Sequence, residues 1–86
     1  MTTDKSRELG LKIRRIREAE GLGRAVFAEL LGISKASLIT VERAQYAPRA
    51  NVLLAVANAF PKYAYWMMTG KVQKKSGHIA PKVEKA

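Results

Sequence analysis

The segment Ala28–Arg43, AELLGISKASLITVER, sets a glycine and a serine in the middle of a run that is helical in pattern at both ends. Phe27, Leu30 and Leu31 supply apolar positions before the break, and Leu38 and Val41 supply them after it. One continuous helix would carry Gly32 in its interior, at a cost of about 1 kcal/mol against alanine. Gly32 fits better just past a helix C-terminus, where a positive φ is needed, and Ser34 fits better as an N-cap. The segment therefore predicts one helix ending at Leu31 and another starting after Ser34, with Ile33 between the two breakers. Two short helices joined by about three residues that include glycine make a helix-turn-helix candidate. Whether such a unit reads DNA or is ordinary helical packing depends on the rest of the chain.

Upstream, SRELGLKIRRIREAEGLG places Leu9, Ile13 and Ile16 on one helical face, with Arg14, Arg15 and Glu18 mainly elsewhere. Gly21 is placed to end this helix and Leu22 to anchor the chain after it. A second helix is predicted from about Arg24 to Leu31, with Phe27, Ala28 and Leu31 inward and Gly23 as a weak N-cap. A third runs from about Lys35 to Arg43. AQYAP is then a loop, because Pro48 disfavours helix at the residue before it. ANVLLAVANAF is apolar on nearly every side and predicts a fourth helix buried on more than one face. Pro61 interrupts, and KYAYWMMTG gives a short fifth helix closed by Gly70. The remaining KVQKKSGHIAPKVEKA carries five lysines and two breakers. It reads as a basic tail, disordered alone or ordered by a partner, with extended character only around His78 and Ile79. The expected organisation is one domain over residues 6–70 and a tail over 71–86.

Eighty-six residues allow one domain with a small core, and a 48% hydrophobic composition argues against wholesale disorder. Sixteen lysines and arginines against seven acidic residues give a formal charge of +9. That bias points to a polyanionic partner, nucleic acid before an anionic membrane, with a basic solubilising surface as the plain alternative. The absence of cysteine excludes disulfides, thiolate metal sites and thiol catalysis. The polar N-terminus has no signal-peptide core, and no apolar run approaches the ~18 residues of a membrane span. A soluble, cytoplasmic protein without membrane association is expected. His78 is the only histidine and lies in the tail, where solvent exposure is expected, and no nucleophile–base pair, carboxylate cluster, Gly-rich phosphate loop or metal-ligand spacing accompanies it. The sequence thus predicts no enzyme, no cofactor and no metal.

Taken in order, LGLKIRRIREAEGL, FAELLGISKASLITVER, a proline followed by LLAVANAF, and WMMTG resemble the lambda-repressor-like helix-turn-helix family, the Cro/C1 or XRE type, over roughly Leu9 to Gly70. No single piece is specific; their order and spacing carry the resemblance. KYAYWMMTG followed by SGHIAP is also similar to the end of the short immunity repressors of peduovirus-type temperate phages. There are departures. The family usually has Ser or Thr at Gly23, Gln at Arg24, Gly at Ala44, and Ser or Thr at Arg49, which puts local helix ends in doubt.

The resemblance implies an all-α, five-helix DNA-binding domain whose third helix enters the major groove. Its base-facing set maps to Lys35, Ala36 and Thr40, with Ser37 beside them, while Ile39 points nearer the protein. Lys35 would donate to guanine, Ala36 would touch a thymine methyl, and Thr40 is ambivalent. Phosphate contacts map to Arg24, Arg43 and Arg49. Arg17 and Glu42 match positions at which a helix-one arginine pairs with the glutamate ending helix three. The implied protein is an operator-binding homodimer that represses transcription, in a phage or prophage immunity setting. Two rivals stand beside it: an antitoxin that autoregulates its operon while gripping a toxin, and a sequence-indifferent basic protein. An antirepressor is a further possible protein partner. The apolar residues late in the chain assign the dimer interface to Tyr63, Tyr65, Met68, Ile79 and Val83, with Trp66 and Met67 kept for the core. GHIAP is expected to add a strand that pairs with its twin, having no partner in its own subunit.

Overall fold

The computed structural model describes residues 4–82. Five helices follow one another as α1 (Asp4–Ala19), α2 (Arg24–Leu31), α3 (Lys35–Glu42), α4 (Ala50–Ala59) and α5 (Pro61–Thr69), and a single 3₁₀ turn covers Lys74–Ser76. The all-α, five-helix expectation holds, and α1 begins two residues earlier than its pattern predicts.

The helix ends follow from the residues that occupy them. Gly21 adopts φ 70°, which lets Leu22 N–H reach the carbonyl of Arg17 at 3.2 Å and Gly21 N–H that of Glu18 at 3.0 Å. Gly32, at φ 72°, repeats this closure on α2, with Ile33 N–H donating to Ala28 at 3.0 Å. Two residues later Ser34 Oγ accepts from Ser37 N–H at 3.0 Å and starts α3. α3 stops at Glu42, one residue short of the prediction, because Ala44 takes φ 58°. That is the position where the family resemblance leads one to expect glycine.

The core is built from Ile13 and Ile16 of α1, Phe27, Ala28 and Leu31 of α2, Leu38 of α3, Val52 and Val56 of α4, and Tyr63 and Met67 of α5. Phe60 bridges the last two helices: its ring stacks on Phe27 at 5.8 Å and meets Tyr63 at 6.3 Å. α4 buries less than its composition predicts. Val52 and Val56 are inside and Leu53 and Ala55 partly so, but Leu54 is 63% exposed. α2 and α5 are the main neighbours of α4, and together they cover one stripe of it. Trp66 is partly buried at the core's edge, while Met67 lies fully inside. The Lys12 ammonium reaches the carbonyls of Trp66 and Met67 at 3.5 and 3.2 Å, placing a cation at the C-terminus of α5.

Three expectations about the late residues are corrected by the structure. Tyr63, assigned above to a dimer interface, is 4% exposed, and its hydroxyl donates to Glu20 Oε2 at 2.7 Å. Its ring already fills the space between Phe60 and the core, so it has no surface to give a partner. The tail, in turn, is folded over residues 71–82 and has partners within its own chain. Gln73 and His78 exchange both backbone hydrogen bonds, at 3.1 and 3.0 Å, around a turn that Gly77 closes at φ 79°. Ile79 N–H then donates to the carbonyl of Lys62 at 2.9 Å, which pins the segment back along α5. His78 is half-buried with its ring 5.3 Å from Tyr65, rather than free in solvent. Tyr65 is half-buried, Met68 and Ile79 are exposed, and Val83 lies outside the described residues.

Candidate nucleic-acid interface

α3 divides into two faces. Leu38 is fully buried and Ile39 and Val41 are partly covered, whereas Lys35, Ala36, Ser37 and Thr40 are all exposed. The cap defines the polar chemistry of the outer face. Ser34 donates its hydroxyl proton to Ser37 Oγ at 2.9 Å, so Ser37 keeps its own proton to donate. Thr40 donates to the carbonyl of Ala36 at 3.2 Å and offers oxygen lone pairs outward. Lys35 adds a cation at the first turn. Donors, an acceptor and a methyl thus stand on one turn and a half of helix, the mix that base edges in a major groove require.

The surroundings favour an anion. None of α2, α3 and α4 has an acidic residue in its first turn, so the positive ends of these helices are not neutralised. Gly23 and Arg49, the N-caps of α2 and α4, make no side-chain cap hydrogen bond. Backbone N–H groups at both helix starts are therefore available to phosphate oxygens. Arg43 and Arg49 are exposed on either side of the α3–α4 loop. Between α3 and the start of α4 opens a cleft of about 510 Å³, with Ser37, Thr40, Tyr46, Pro48, Arg49 and Asn51 in its lining. Tyr46 and Asn51 were not identified from the sequence. The available signals were an aromatic residue in a polar loop and a polar residue at the start of an apolar helix.

Beneath this surface lies an ion cluster. Glu42 Oε2 accepts from Arg17 Nε at 2.7 Å, and Oε1 accepts from Arg17 Nη2 at 3.1 Å. Arg17 Nη1 also donates to the carbonyl of Leu22 at 3.0 Å. The side chains are 11% exposed for Arg17 and 2% for Glu42, so the predicted pair is brought together and buried. Arg24 sits differently from a free phosphate clamp: its Nε donates to Glu42 Oε1 at 3.1 Å, with the side chain 41% exposed. Gly10, a third residue not identified from the sequence, lets α1 approach the backbone of α3 at Val41. A glycine inside an amphipathic helix was the signal.

Among the described residues no group of three or more His, Cys, Asp or Glu side chains is placed to hold a metal ion, and no helix is long and apolar enough to cross a membrane. A family model described as a helix-turn-helix domain matches residues 8–60, from the first turns of α1 to the end of α4. A search of curated proteins finds no match.

Proposed function

The chain belongs to the helix-turn-helix domain family, and from that premise we propose that it is a sequence-specific operator-binding protein that works as a homodimer and represses transcription. The observation that carries this is the outer face of α3: four exposed residues of mixed hydrogen-bonding character, flanked by un-neutralised helix N-termini and by Arg43 and Arg49. In this reading Lys35 donates to guanine O6 and N7, Ala36 meets a thymine methyl, and Ser37 and Thr40 contact neighbouring base edges. Arg24, Arg43 and Arg49 hold phosphates and set the register. Arg17 and Glu42 fix α3 against the scaffold.

Residues 6–70 form the reading unit, and residues 71–86 with α5 supply the dimer contact through Tyr65, Met68 and Ile79. One unit covers few base pairs. A twofold dimer doubles the contacts and sets the recognition helices about 34 Å apart. Phage immunity is the proposed setting, on the resemblance that KYAYWMMTG and SGHIAP carry, and the cytoplasm is the proposed location. Selection from random duplex DNA tests the proposal: it predicts a motif with twofold symmetry and a preference over shuffled DNA of roughly a thousandfold or more. Equal affinity for shuffled DNA would instead indicate a sequence-indifferent basic protein.

A further inference from the structure

Glu42 is the last residue of α3 and its carboxylate is almost wholly enclosed, yet it serves two arginines of different kinds. Arg17 is largely enclosed and takes both carboxylate oxygens, as a scaffold pair does. Arg24 is the first residue of α2, is partly exposed, and takes one oxygen through Nε alone. A guanidinium is a planar fork of five donors. With Nε fixed on Glu42, its two Nη groups are left over, and they have no hydrogen-bond partner among the described residues. Two guanidinium groups around one carboxylate leave a net positive charge at the start of α2. The helix end adds to it, because Gly23 brings no capping side chain and the first turn no acid.

We propose that Glu42 is a positioning residue for DNA contact: it holds one edge of the Arg24 guanidinium so that the other edge faces a backbone phosphate. The inference rests on the operator-binding reading above. The free protein then carries Arg24 in its bound conformation, and binding does not have to immobilise a long flexible side chain. The same carboxylate fixes α3 to α1 through Arg17, so the phosphate contact and the recognition helix share one anchor. A glutamine at residue 24 would lack the charge. A lysine would keep the charge, but its three donors sit on one nitrogen and cannot span Glu42 and a phosphate as the edges of a planar fork do.

The test uses the full-length protein and a duplex obtained by selection, titrated at several salt concentrations. Arg24→Lys is expected to weaken binding about three- to tenfold with the salt slope unchanged. Arg24→Gln is expected to weaken it further and reduce the log K against log salt slope by about one unit. In the free wild-type protein, nitrogen-resolved NMR should show the Arg24 Nε–H protected from solvent exchange. Arg24→Lys that binds as tightly as wild type, or an Arg24 Nε–H that exchanges freely, overturns the inference while leaving operator binding intact. Glu42→Gln, where it folds, should weaken the wild type more than the Arg24→Gln protein, in which only the Arg17 anchor remains to be lost; equal weakening of both, or tighter binding, also overturns it. A wild-type protein that binds no duplex would remove the operator reading and this inference together.

Discussion

Gly10 of α1 faces the backbone carbonyl of Val41 in α3 with no room for a methyl group between them. The contact sets how closely α3 lies on α1, and the Arg17–Glu42 pair joins the same two helices. Gly10→Ala gains about 1 kcal/mol of helix propensity but drives a carbon into a backbone oxygen that cannot rotate away. Overpacking of this kind costs about 1–3 kcal/mol or more, so a net loss of stability is expected. Urea unfolding measures it. A variant more stable than wild type would show that the two helices separate freely.

The Arg17–Glu42 pair is bidentate and buried, so removing one partner strands a charge. Glu42→Ala is expected to cost about 3–5 kcal/mol in equilibrium unfolding. A loss below about 1 kcal/mol is the signature of an exposed pair and would contradict the burial described here.

A second ion cluster, at the junction of α1 and α5, gives the protein a pH response. Glu20 accepts from the Tyr63 hydroxyl at 2.7 Å and from Lys62 at 3.1 Å, and these two donors, Tyr63 first, hold its carboxyl below the ordinary glutamate range. A lowered folded-state pKa stabilises above the unfolded value of about 4.5, and the contribution fades as pH falls through the folded value. Lys62 is pushed up by its bond to Glu20, and Tyr63 is pushed up by burial and then by Glu20. Both raised values favour the fold below their unfolded values of about 10.5 and 10.0, and that contribution is lost as pH rises through the folded ones. The stability difference between wild type and Glu20→Gln should therefore be flat from about pH 5 to pH 9 and shrink at both extremes. A difference that grows on acidification would refute this assignment.

Met68 and Ile79 are exposed apolar side chains, and substitution there should change the stability of the chain itself by no more than about 0.5 kcal/mol. If they form the proposed dimer contact, Met68→Asp with Ile79→Asp should shift sedimentation equilibrium towards monomer while the circular dichroism stays that of the folded protein. Truncation after Gly70 should do the same. Variants as dimeric as wild type would place the interface elsewhere.

The turn between α2 and α3 was legible because its demands are local: Gly32 must take a positive φ and Ser34 must cap, whatever surrounds them. The outer face of α3 was legible through the family resemblance, which placed Lys35, Ala36, Ser37 and Thr40 on positions that the structure leaves exposed. What escaped depends on distant partners. Gly10 is an ordinary weak point in a helix until Val41 is placed against it. Arg24 resembles a free cation, but its Nε is taken by a carboxylate eighteen residues away. The tail looks solvated by composition, yet main-chain bonds between Gln73 and His78 and from Ile79 to Lys62, with the His78 ring against Tyr65, fold it back on the chain. Leu54 shows the opposite error, because an apolar helix is covered only where neighbouring helices reach it.

In the proposed function one face of α3 reads base sequence while the arginines around it supply affinity. Titration of Lys35→Ala and Arg43→Ala on a selected operator and on single-base variants of it, over a range of salt, tests this directly. Lys35→Ala should relax preference at one base pair, at a cost of about 1–3 kcal/mol on the selected site. Arg43→Ala should weaken every site alike and flatten the salt slope by about one unit. A Lys35→Ala protein that loses the same affinity on every sequence would contradict the account.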